Sequence, residues 1–278
     1  MSDPDLLLIT EQPSTRAYLR SMWDRRRLST ALPMEELRTE HKTTVLGNLW
    51  HLVNPLLSVA VYYFVFGTLL NADRGVDNFI LWLAVGIFTY SMTASSITGG
   101  AKAIDKNRGL MRSLRFPRAL IPVSVIFSNL LTFVFELLIL GVVAIATGEP
   151  PSLRWLVLPA VVLVHTCFNL GGAFLAARLN DSFRDIQQIL PFLFQLFRYV
   201  SGVMFPLEVF LSESNTPGVL RVLIDANPLR LMLQSYRWVF MGTPVDVPYL
   251  VLAGGISVGL LIVGFIVFRQ GEQRYGLR

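Results

Sequence analysis

The side chains that most often carry catalysis or bind metals are few in this chain and stand far apart. Its three histidines are His41, His51 and His165, and Cys167 is its single cysteine. The sequence has no Walker A glycine loop, no glycine-rich dinucleotide turn and no HExxH motif. One cysteine supports neither an intrachain disulfide nor a cysteine metal site. These observations predict a chain that is not an enzyme and that holds no catalytic group, cofactor or metal of its own.

Three ionisable residues lie inside long apolar stretches, where charge is costly. Counted from the predicted outer ends of their stretches, Glu136, His165 and Arg198 all lie roughly 12–17 Å deep, at about 1.5 Å per helical residue. Ionisable residues within a membrane normally face protein or water and find partners. We therefore expect one buried polar layer in which Glu136 pairs with Arg198. His165 is expected near this pair or hydrogen-bonded elsewhere in the layer.

The segment 102–118 mixes cations with apolar residues. It holds six lysines and arginines, and its apolar residues Ile104, Leu110, Met111 and Leu114 recur at helical spacing. The charges alone are typical of a loop that fixes orientation in a membrane. The interleaved apolar residues favour a surface that docks onto a partner protein.

Long apolar segments must position these residues. Hydrophobic residues make up 53% of the chain and charged residues 15%, whereas soluble domains have about 25% charged residues. A membrane helix needs about 20 mostly apolar residues. The segments that satisfy this are 49–70, 78–101, 119–147, 155–177, 186–206 and 248–268. We call them spans one to six, and they predict an all-α integral membrane protein with six transmembrane helices per protomer.

Arginine and lysine are concentrated in alternate gaps between the spans. Of the 24 basic residues, 18 lie before span one, between spans two and three, between spans four and five, or after span six. This positive-inside distribution predicts a multi-pass protein of the plasma membrane with both termini in the cytoplasm. The same distribution explains the net charge of +5, so we expect membrane lipids and no nucleic acid as partners.

Two segments differ from this pattern. Residues 30–46 combine a capping residue, Thr30 or Ser29, with apolar residues at helical spacing. They predict an amphipathic interface helix on the inner membrane surface, with an ordinary cytoplasmic helix as the alternative. Residues 207–247 are rich in apolar side chains but are broken by prolines. They predict short re-entrant helices on the outer side, between spans five and six.

Four short sequence blocks, in order along the six spans, resemble the ABC-2 type permeases of the Wzm polysaccharide-exporter family. The first lies in the run 36–70, with KTTVLGNLW at 42–50, Pro55 and VFG at 65–67. The others are LRFPR at 114–118, LNDSFRD at 179–185 and NPL at 227–229. The resemblance covers residues 30–268. Within this family of O-antigen and teichoic acid exporters, the chain is most similar to the mycobacterial member that exports lipid-linked galactan.

The resemblance implies the domain organisation and the partners. Residues 1–29 would be a cytoplasmic N-terminal segment, 47–268 the transmembrane domain with an outer gate region at 207–247, and 269–278 a cytoplasmic tail. The chain would form a homodimer and bind two copies of a cytoplasmic ATP-binding subunit, which would hold the ATP and magnesium. Coupling to that subunit would run through segment 102–118 and the loop near Asn180. The implied coupling residues are Ile104, Arg108, Leu110, Met111, Leu114, Arg115, Phe116, Arg184 and Asp185.

The implied cargo is a polysaccharide on a polyprenyl diphosphate, possibly a galactan by analogy with the similar member. Spans one and five are rich in aromatic residues, which can stack on sugar rings, although aromatic residues also pack or face lipid. We expect the cargo path along these spans, with Tyr62, Tyr63, Phe197, Arg198 and Tyr199 as candidate contacts. Arg198 departs from the more apolar pattern of the family, so it either braces the helices or meets the cargo.

Two other functions of a multi-pass protein make different demands on the sequence. A secondary transporter is expected to show internal repeats or broken helices at mid-membrane, and the sequence shows no repeat. A membrane enzyme acting on polyprenyl-linked glycolipids needs a cluster of polar catalytic groups at one membrane face. The polar groups here are scattered, so the exporter subunit is the favoured interpretation.

Overall fold

A computed structural model describes residues 14–30, 50–70, 76–114, 116–207, 218–245, 247–272 and 275. Every regular element within them is helical, which confirms the all-α prediction. The helices are α1 Thr15–Asp24, α2 Trp50–Tyr62, α3 Phe79–Lys106, α4 Arg108–Ser113, α5 Leu120–Ala146, α6 Leu158–Ser182, α7 Ile186–Val200, α8 Gly218–Asp225, α9 Pro228–Met241 and α10 Val247–Gln270. The predicted interface helix at 30–46 lies, after Thr30, outside the described residues.

Within the described parts of the chain, four helices are long and apolar enough to cross a membrane: α3, α5, α6 with its preceding 3₁₀ turn, and α10. They contain 28, 27, 30 and 24 residues, which at about 1.5 Å per residue exceeds the roughly 30 Å thickness of a hydrocarbon core. They correspond to predicted spans two, three, four and six. The chain is a multi-pass membrane protein.

The helices at predicted spans one and five are shorter. α2 contains Pro55 and continues as a π-helical segment, Tyr63–Leu69. α7 has 15 residues and ends at Val200, not at Pro206 as predicted. Residues 201–205 form turns and bends in which Gly202 has a φ of +68°, a left-handed conformation that ends a helix. The helix therefore ends six residues before the predicted end of span five, Pro206.

The predicted segment 102–118 is divided between two helices. α3 runs five residues beyond the predicted end of span two and stops at Lys106, where Asn107 caps its last turn. α4 then forms a short separate helix, and Leu114 is extended. Ile104 therefore belongs to the transmembrane helix α3 and not to a separate amphipathic helix, which corrects the prediction.

α3 is the central helix of the bundle. It packs against α2, α5, α6, α7 and α9, and it is buried on all sides near its start, where Leu81, Leu83 and Val85 are fully buried. The side chain of Asn78 caps this end by accepting a hydrogen bond from the Leu81 backbone, and its amide donates to the Thr147 hydroxyl at 2.7 Å.

α6 and α10 pack backbone against backbone. A Cβ atom on Gly264 would lie 2.3 Å from the carbonyl oxygen of Gly171, and one on Gly171 would lie 2.5 Å from the backbone carbon of Leu260. Small residues allow membrane helices to approach closely and gain van der Waals contact. No larger side chain fits at either glycine without separating the two helices.

α9 lies inside the bundle, against α3, α6 and α10. Asn227 caps its start, and Gly242, with a φ of +71°, ends it. Both of its arginines are buried. Arg230 forms an ion pair with Asp225 at 3.4 Å, and Arg237 donates to the Gly202 carbonyl at 3.0 Å while lying 3.4 Å above the ring of Trp82.

The two described terminal segments meet at one end of the bundle. The hydroxyl of Tyr18 on α1 donates to Oε1 of Glu272, 2.7 Å away, and the backbone N–H of Arg118 donates to the same oxygen at 2.9 Å. Arg269, at the end of α10, donates to the Thr15 hydroxyl at 2.6 Å. The start of α1, the start of α5 and the end of α10 therefore lie together.

Candidate functional site

Arg198 joins three helices within the bundle. From α7, its Nη1 donates to the Tyr62 hydroxyl of α2 at 3.0 Å, and its guanidinium lies 5.2 Å from the ring centre of Tyr90 on α3. Tyr90 in turn donates its hydroxyl hydrogen bond to the carbonyl of Phe194 on α7. The guanidinium is thus held by a hydrogen bond and a cation–π contact. Its Nε is buried and makes no hydrogen bond with any residue in the described part of the chain.

The predicted pair between Glu136 and Arg198 does not form. No hydrogen bond or ion pair of Glu136 occurs among the described residues, although only 4% of the residue is exposed. Its side chain lines a polar cavity between α2, α3 and α5. The prediction used depth alone, and depth does not specify which face of a helix a residue occupies. Arg198 instead contacts the two tyrosines, Tyr62 and Tyr90.

His165 is fully buried and has a partner on each ring nitrogen. The Thr93 hydroxyl of α3 lies 2.7 Å from Nε2, and the Tyr236 hydroxyl of α9 lies 3.2 Å from Nδ1. Phe133 of α5 meets the rings of both His165 and Tyr236 edge-on. His165 therefore links α3, α6 and α9. Thr93 and Tyr236 were not identified from the sequence, because nothing in their spacing relates them to a histidine about 70 residues away.

The other candidate cargo residues lie on the surface of the single chain. Tyr63, Phe197 and Tyr199 are exposed, and among the described aromatic residues Tyr63 alone of the three has a ring neighbour, Phe79. They belong to a wider exposed apolar surface on α2 and α7 that includes Leu57, Val61, Phe64, Phe192 and Leu196. The structure thus brings Tyr62 and Arg198 together and leaves the remaining three on the outside of α2 and α7.

The candidate coupling residues divide into a buried and an exposed group. Ile104 and Met111 are buried in a core cluster with Tyr18 and Phe268, and Phe116 packs against that cluster. Because they are buried, Ile104 and Met111 cannot themselves touch a partner, and this corrects their predicted role. Leu114, Arg184 and Asp185 form the exposed group, and the half-buried Leu110 lies close to Leu114 in sequence. Arg115 lies outside the described residues.

The exposed group is held in place by an ion pair and a hydrogen bond. Arg108 of α4 pairs with Asp105 of α3 at 2.6 Å, and Asn180 of α6 donates to the second carboxylate oxygen at 3.1 Å. Asp105 therefore fixes α4 to the end of α6, next to Phe183, Arg184 and Asp185. Phe183 is 67% exposed and extends this surface. We call Leu110, Leu114, Phe183, Arg184 and Asp185 the coupling surface.

The contact of Tyr18 with Glu272 joins α1 to the segment after α10 at this same end of the bundle. Burial, together with the nearby Glu272 carboxylate, raises the pKa of the Tyr18 hydroxyl far above its usual value. Tyr18 therefore stays protonated and remains a donor to Glu272 at any physiological pH. The residue was not identified from the sequence, because it lies in a segment that composition alone marks only as cytoplasmic.

Comparison with known proteins matches this chain to one transporter family and to permeases of polysaccharide export. The family model described as "ABC-2 type transporter" matches residues 31–241. The chain is 30% identical to the O-antigen export system permease protein RfbA of Myxococcus xanthus over 92% of this chain and 97% of that protein. It is 26% identical to the protein of the same name from Klebsiella pneumoniae, over 89% and 93% of the two chains.

A more distant relative is the polysialic acid transport protein KpsM of Escherichia coli, 24% identical over 64% of this chain and 69% of that one. Both groups of relatives are named as permease or transport proteins, in agreement with the absence of catalytic motifs from the sequence. The family match covers most of the chain and includes three of the four long apolar helices and α9. The chain therefore belongs to the ABC-2 type transporter family and is a non-catalytic, multi-pass permease subunit of the Wzm type.

Proposed function

We propose that this chain is the transmembrane subunit of an exporter that moves a polyprenyl-diphosphate-linked polysaccharide out of the cytoplasm. ATP hydrolysis in a separate subunit drives the movement. The observation that carries the proposal is the similarity to O-antigen export permeases over 92% of this chain and 97% of the relative. A galactan is the first glycan to test, because the arginine-rich sequence most resembles the galactan-exporting members of the family.

The topology that fits this function has six spans with both termini in the cytoplasm. α2 with its π-helical continuation would serve as span one, and α7 as span five. Two observations support the orientation. The described terminal segments meet through Tyr18 and Glu272 at one end of the bundle, and the basic residues Arg118 and Arg178 lie at the same end, beside Glu272 and Gly271.

The coupling surface is the proposed docking site for the ATP-binding subunit. Leu114 and Phe183 are 50% and 67% exposed, and charged side chains surround them. Docked subunits can transmit motion there, because Asp105 connects α4 to both α3 and α6. A push on α4 would therefore reach the central helix of the bundle directly.

The complex would contain two copies of this chain and two ATP-binding subunits. The homodimer is what the resemblance to Wzm-type permeases implies, and we place α2 and α7, which expose several aromatic side chains, at its interface. Tyr62, Arg198 and the aromatic residues next to them would then lie near the dimer axis. We place the cargo path there.

Co-expression with an ATP-binding subunit of a polysaccharide exporter from the same genome tests the function. The complex should co-purify, and its ATPase rate should rise when a polyprenyl-diphosphate-linked glycan is added. The proposal would be contradicted if no lipid-linked glycan changed the ATPase rate while another class of lipid raised it.

A further inference from the structure

A polar cavity of about 260 Å³ lies within the bundle, between α2, α3 and α5. On α5 it is lined by Ser128, Thr132 and Glu136, which follow one another at intervals of four residues and so share one helix face. Between Ser128 and Glu136 the helix rises about 12 Å. The cavity therefore extends over a large part of the membrane thickness.

The other two helices contribute the same kind of side chain at the same spacing. α2 supplies Asn54 and Ser58, and α3 supplies Ser91 and Ser95. Each pair is four residues apart, so each helix turns one polar stripe toward the cavity. We call the cavity with these three stripes the polar slot.

Several slot residues have no partner in the described protein. The side chains of Ser91, Ser95 and Ser128 make no hydrogen bond with described residues. Glu136 is 4% exposed and makes none either. A carboxyl group buried at this depth is costly unless it is satisfied. The slot is therefore built to hold something polar.

The size and chemistry of the slot favour a sugar over a bare cation. A cation bound directly by protein needs oxygen atoms about 2.3–2.6 Å from it, whereas 260 Å³ corresponds to about nine water volumes. Serine and threonine hydroxyls both donate and accept hydrogen bonds, asparagine does both, and a carboxylate accepts. Sugar hydroxyls require this combination. None of the described residues that line the slot is aromatic, so the slot suits hydroxyl groups better than ring faces.

The polar face of α2 that lines the slot leads toward Tyr62, the hydrogen-bond partner of Arg198. Asn54, Ser58 and Tyr62 follow at four-residue intervals along α2, and Tyr62 accepts the hydrogen bond of Arg198. At the opposite side the slot opens where Asn54 and Ser95 are exposed. Polar side chains at membrane depth face water or protein and not lipid. The opening therefore faces the interior of the assembly.

We propose that the polar slot binds hydroxyl groups of the glycan during export, with Glu136 as the principal acceptor. The proposal rests on the proposed function, because it takes the cargo to be a glycan. It extends the proposed cargo path from α2 and α7 into the groove between α2, α3 and α5. Glu136, which the sequence analysis assigned to Arg198, becomes a cargo contact.

The test uses the complex with its ATP-binding subunit in lipid nanodiscs. Two ligands are compared: lipid-linked glycan extracted from membranes of cells that produce the protein, and the same polyprenyl diphosphate without its sugar chain. The measured quantity is the ligand concentration that gives half-maximal stimulation of ATPase activity. The variants are Glu136→Gln, Glu136→Leu and Thr132→Val. The matched control is Thr98→Val, whose hydroxyl donates only to backbone carbonyls of its own helix, α3.

For the glycan, Glu136→Leu should raise the half-maximal concentration by roughly tenfold or more, as expected when a sugar hydroxyl in a buried site loses its hydrogen-bond partner. Glu136→Gln keeps the shape and one acceptor, so its shift should be smaller, and Thr132→Val should fall between Glu136→Gln and wild type. The sugar-free polyprenyl diphosphate should bind all variants alike, and Thr98→Val should behave as wild type.

Three results would overturn the proposal. If Glu136→Leu reached half-maximal stimulation at the same glycan concentration as wild type, the slot would not touch the glycan. An equal shift for the sugar-free lipid would assign Glu136 to the lipid diphosphate. Loss of the dimer in both Glu136 variants would make the slot a packing surface between copies. If no glycan stimulates the ATPase activity of the wild-type complex, the proposed function itself fails. That outcome is distinct from the three above, which concern only the slot.

Discussion

Nη1 of Arg198 donates to the Tyr62 hydroxyl at 3.0 Å, and this hydrogen bond fastens α7 to α2. The same guanidinium lies above Tyr90 of α3, so one charged side chain is shared by the three helices that border the proposed cargo path. The arrangement holds a cation at membrane depth without a carboxylate. It leaves the Arg198 Nε directed toward no described partner, and a diphosphate or a sugar hydroxyl could occupy that donor.

A double-mutant cycle between Arg198 and Tyr62 should reveal coupling in thermal or chemical unfolding. Arg198→Leu, Tyr62→Phe and the double variant should give a coupling energy of about 0.5–1.5 kcal/mol, the usual range for a hydrogen bond that is only partly buried. The matched cycle between Arg198 and Glu136 should give a value near zero, because those side chains do not pair. Coupling larger for Glu136 than for Tyr62 would contradict the described contacts.

His165 should behave as a structural brace. His165→Phe removes the ring nitrogens and strands the hydroxyls of Thr93 and Tyr236 in the core, at a cost of about 1–3 kcal/mol for each buried unsatisfied group. Tyr236→Phe removes one partner and should cost less. The control is Thr166→Val, because that neighbouring hydroxyl bonds only the Val162 carbonyl of its own helix. Loss of thermal stability in the control equal to that in His165→Phe would count against the brace.

The close contact of α6 and α10 gives a third prediction. Gly264→Val places a side chain where the Gly171 carbonyl lies 2.3 Å from the ideal Cβ position, so the helices must separate. Overpacking of this kind costs typically about 1–3 kcal/mol. Gly259→Ala lies on the same helix with no atom within 4 Å of its Cβ position and should cause no loss. Detergent stability of the purified chain measures both, and equal stability of the two variants would refute the close contact.

The coupling surface should separate binding from folding. Leu110→Asp combined with Leu114→Asp should weaken co-purification of the ATP-binding subunit while the isolated chain keeps its thermal stability. Met111→Asp should do the reverse, because Met111 lies in the core with Tyr18 and Phe268. A complex of unchanged composition and activity in the Leu110 and Leu114 variant would show that docking occurs elsewhere.

Hydrophobic length predicted the four long helices well, because about 20 apolar residues are a direct physical requirement for a membrane span. The boundaries were less predictable. α3 extends to Lys106, since Ala101 and Ile104 continue its packing against the bundle. α7 stops at Val200, since Gly202 turns the chain left-handed. The first outcome depends on packing and the second on backbone conformation, and hydropathy describes neither.

The site was predictable in composition but not in pairing. Residue type and depth identified Glu136, His165 and Arg198 as the ionisable residues that needed explanation. The partners of Arg198 and His165, which are Tyr62, Tyr90, Thr93 and Tyr236, are neutral residues spread over three helices. Hydroxyl groups are common in membrane helices, so no sequence signal distinguishes these four. Similarly, Ile104 and Met111 have the spacing of a docking helix, and only the packing of α1 and α10 around them shows that they are buried.

The measurement that bears most directly on the proposed function is transport by the purified complex in proteoliposomes. A labelled polyprenyl-diphosphate-linked galactan is placed in the bilayer, and its sugar chain is made accessible to an added glycosidase on the side that exposes the ATP-binding subunits. On addition of ATP and magnesium, the labelled glycan should become protected from the enzyme, and Arg198→Leu and Glu136→Leu should slow that protection. If the glycan stays fully digestible in the presence of ATP, for galactan and for O-antigen-type chains alike, then this chain is not a polysaccharide export permease.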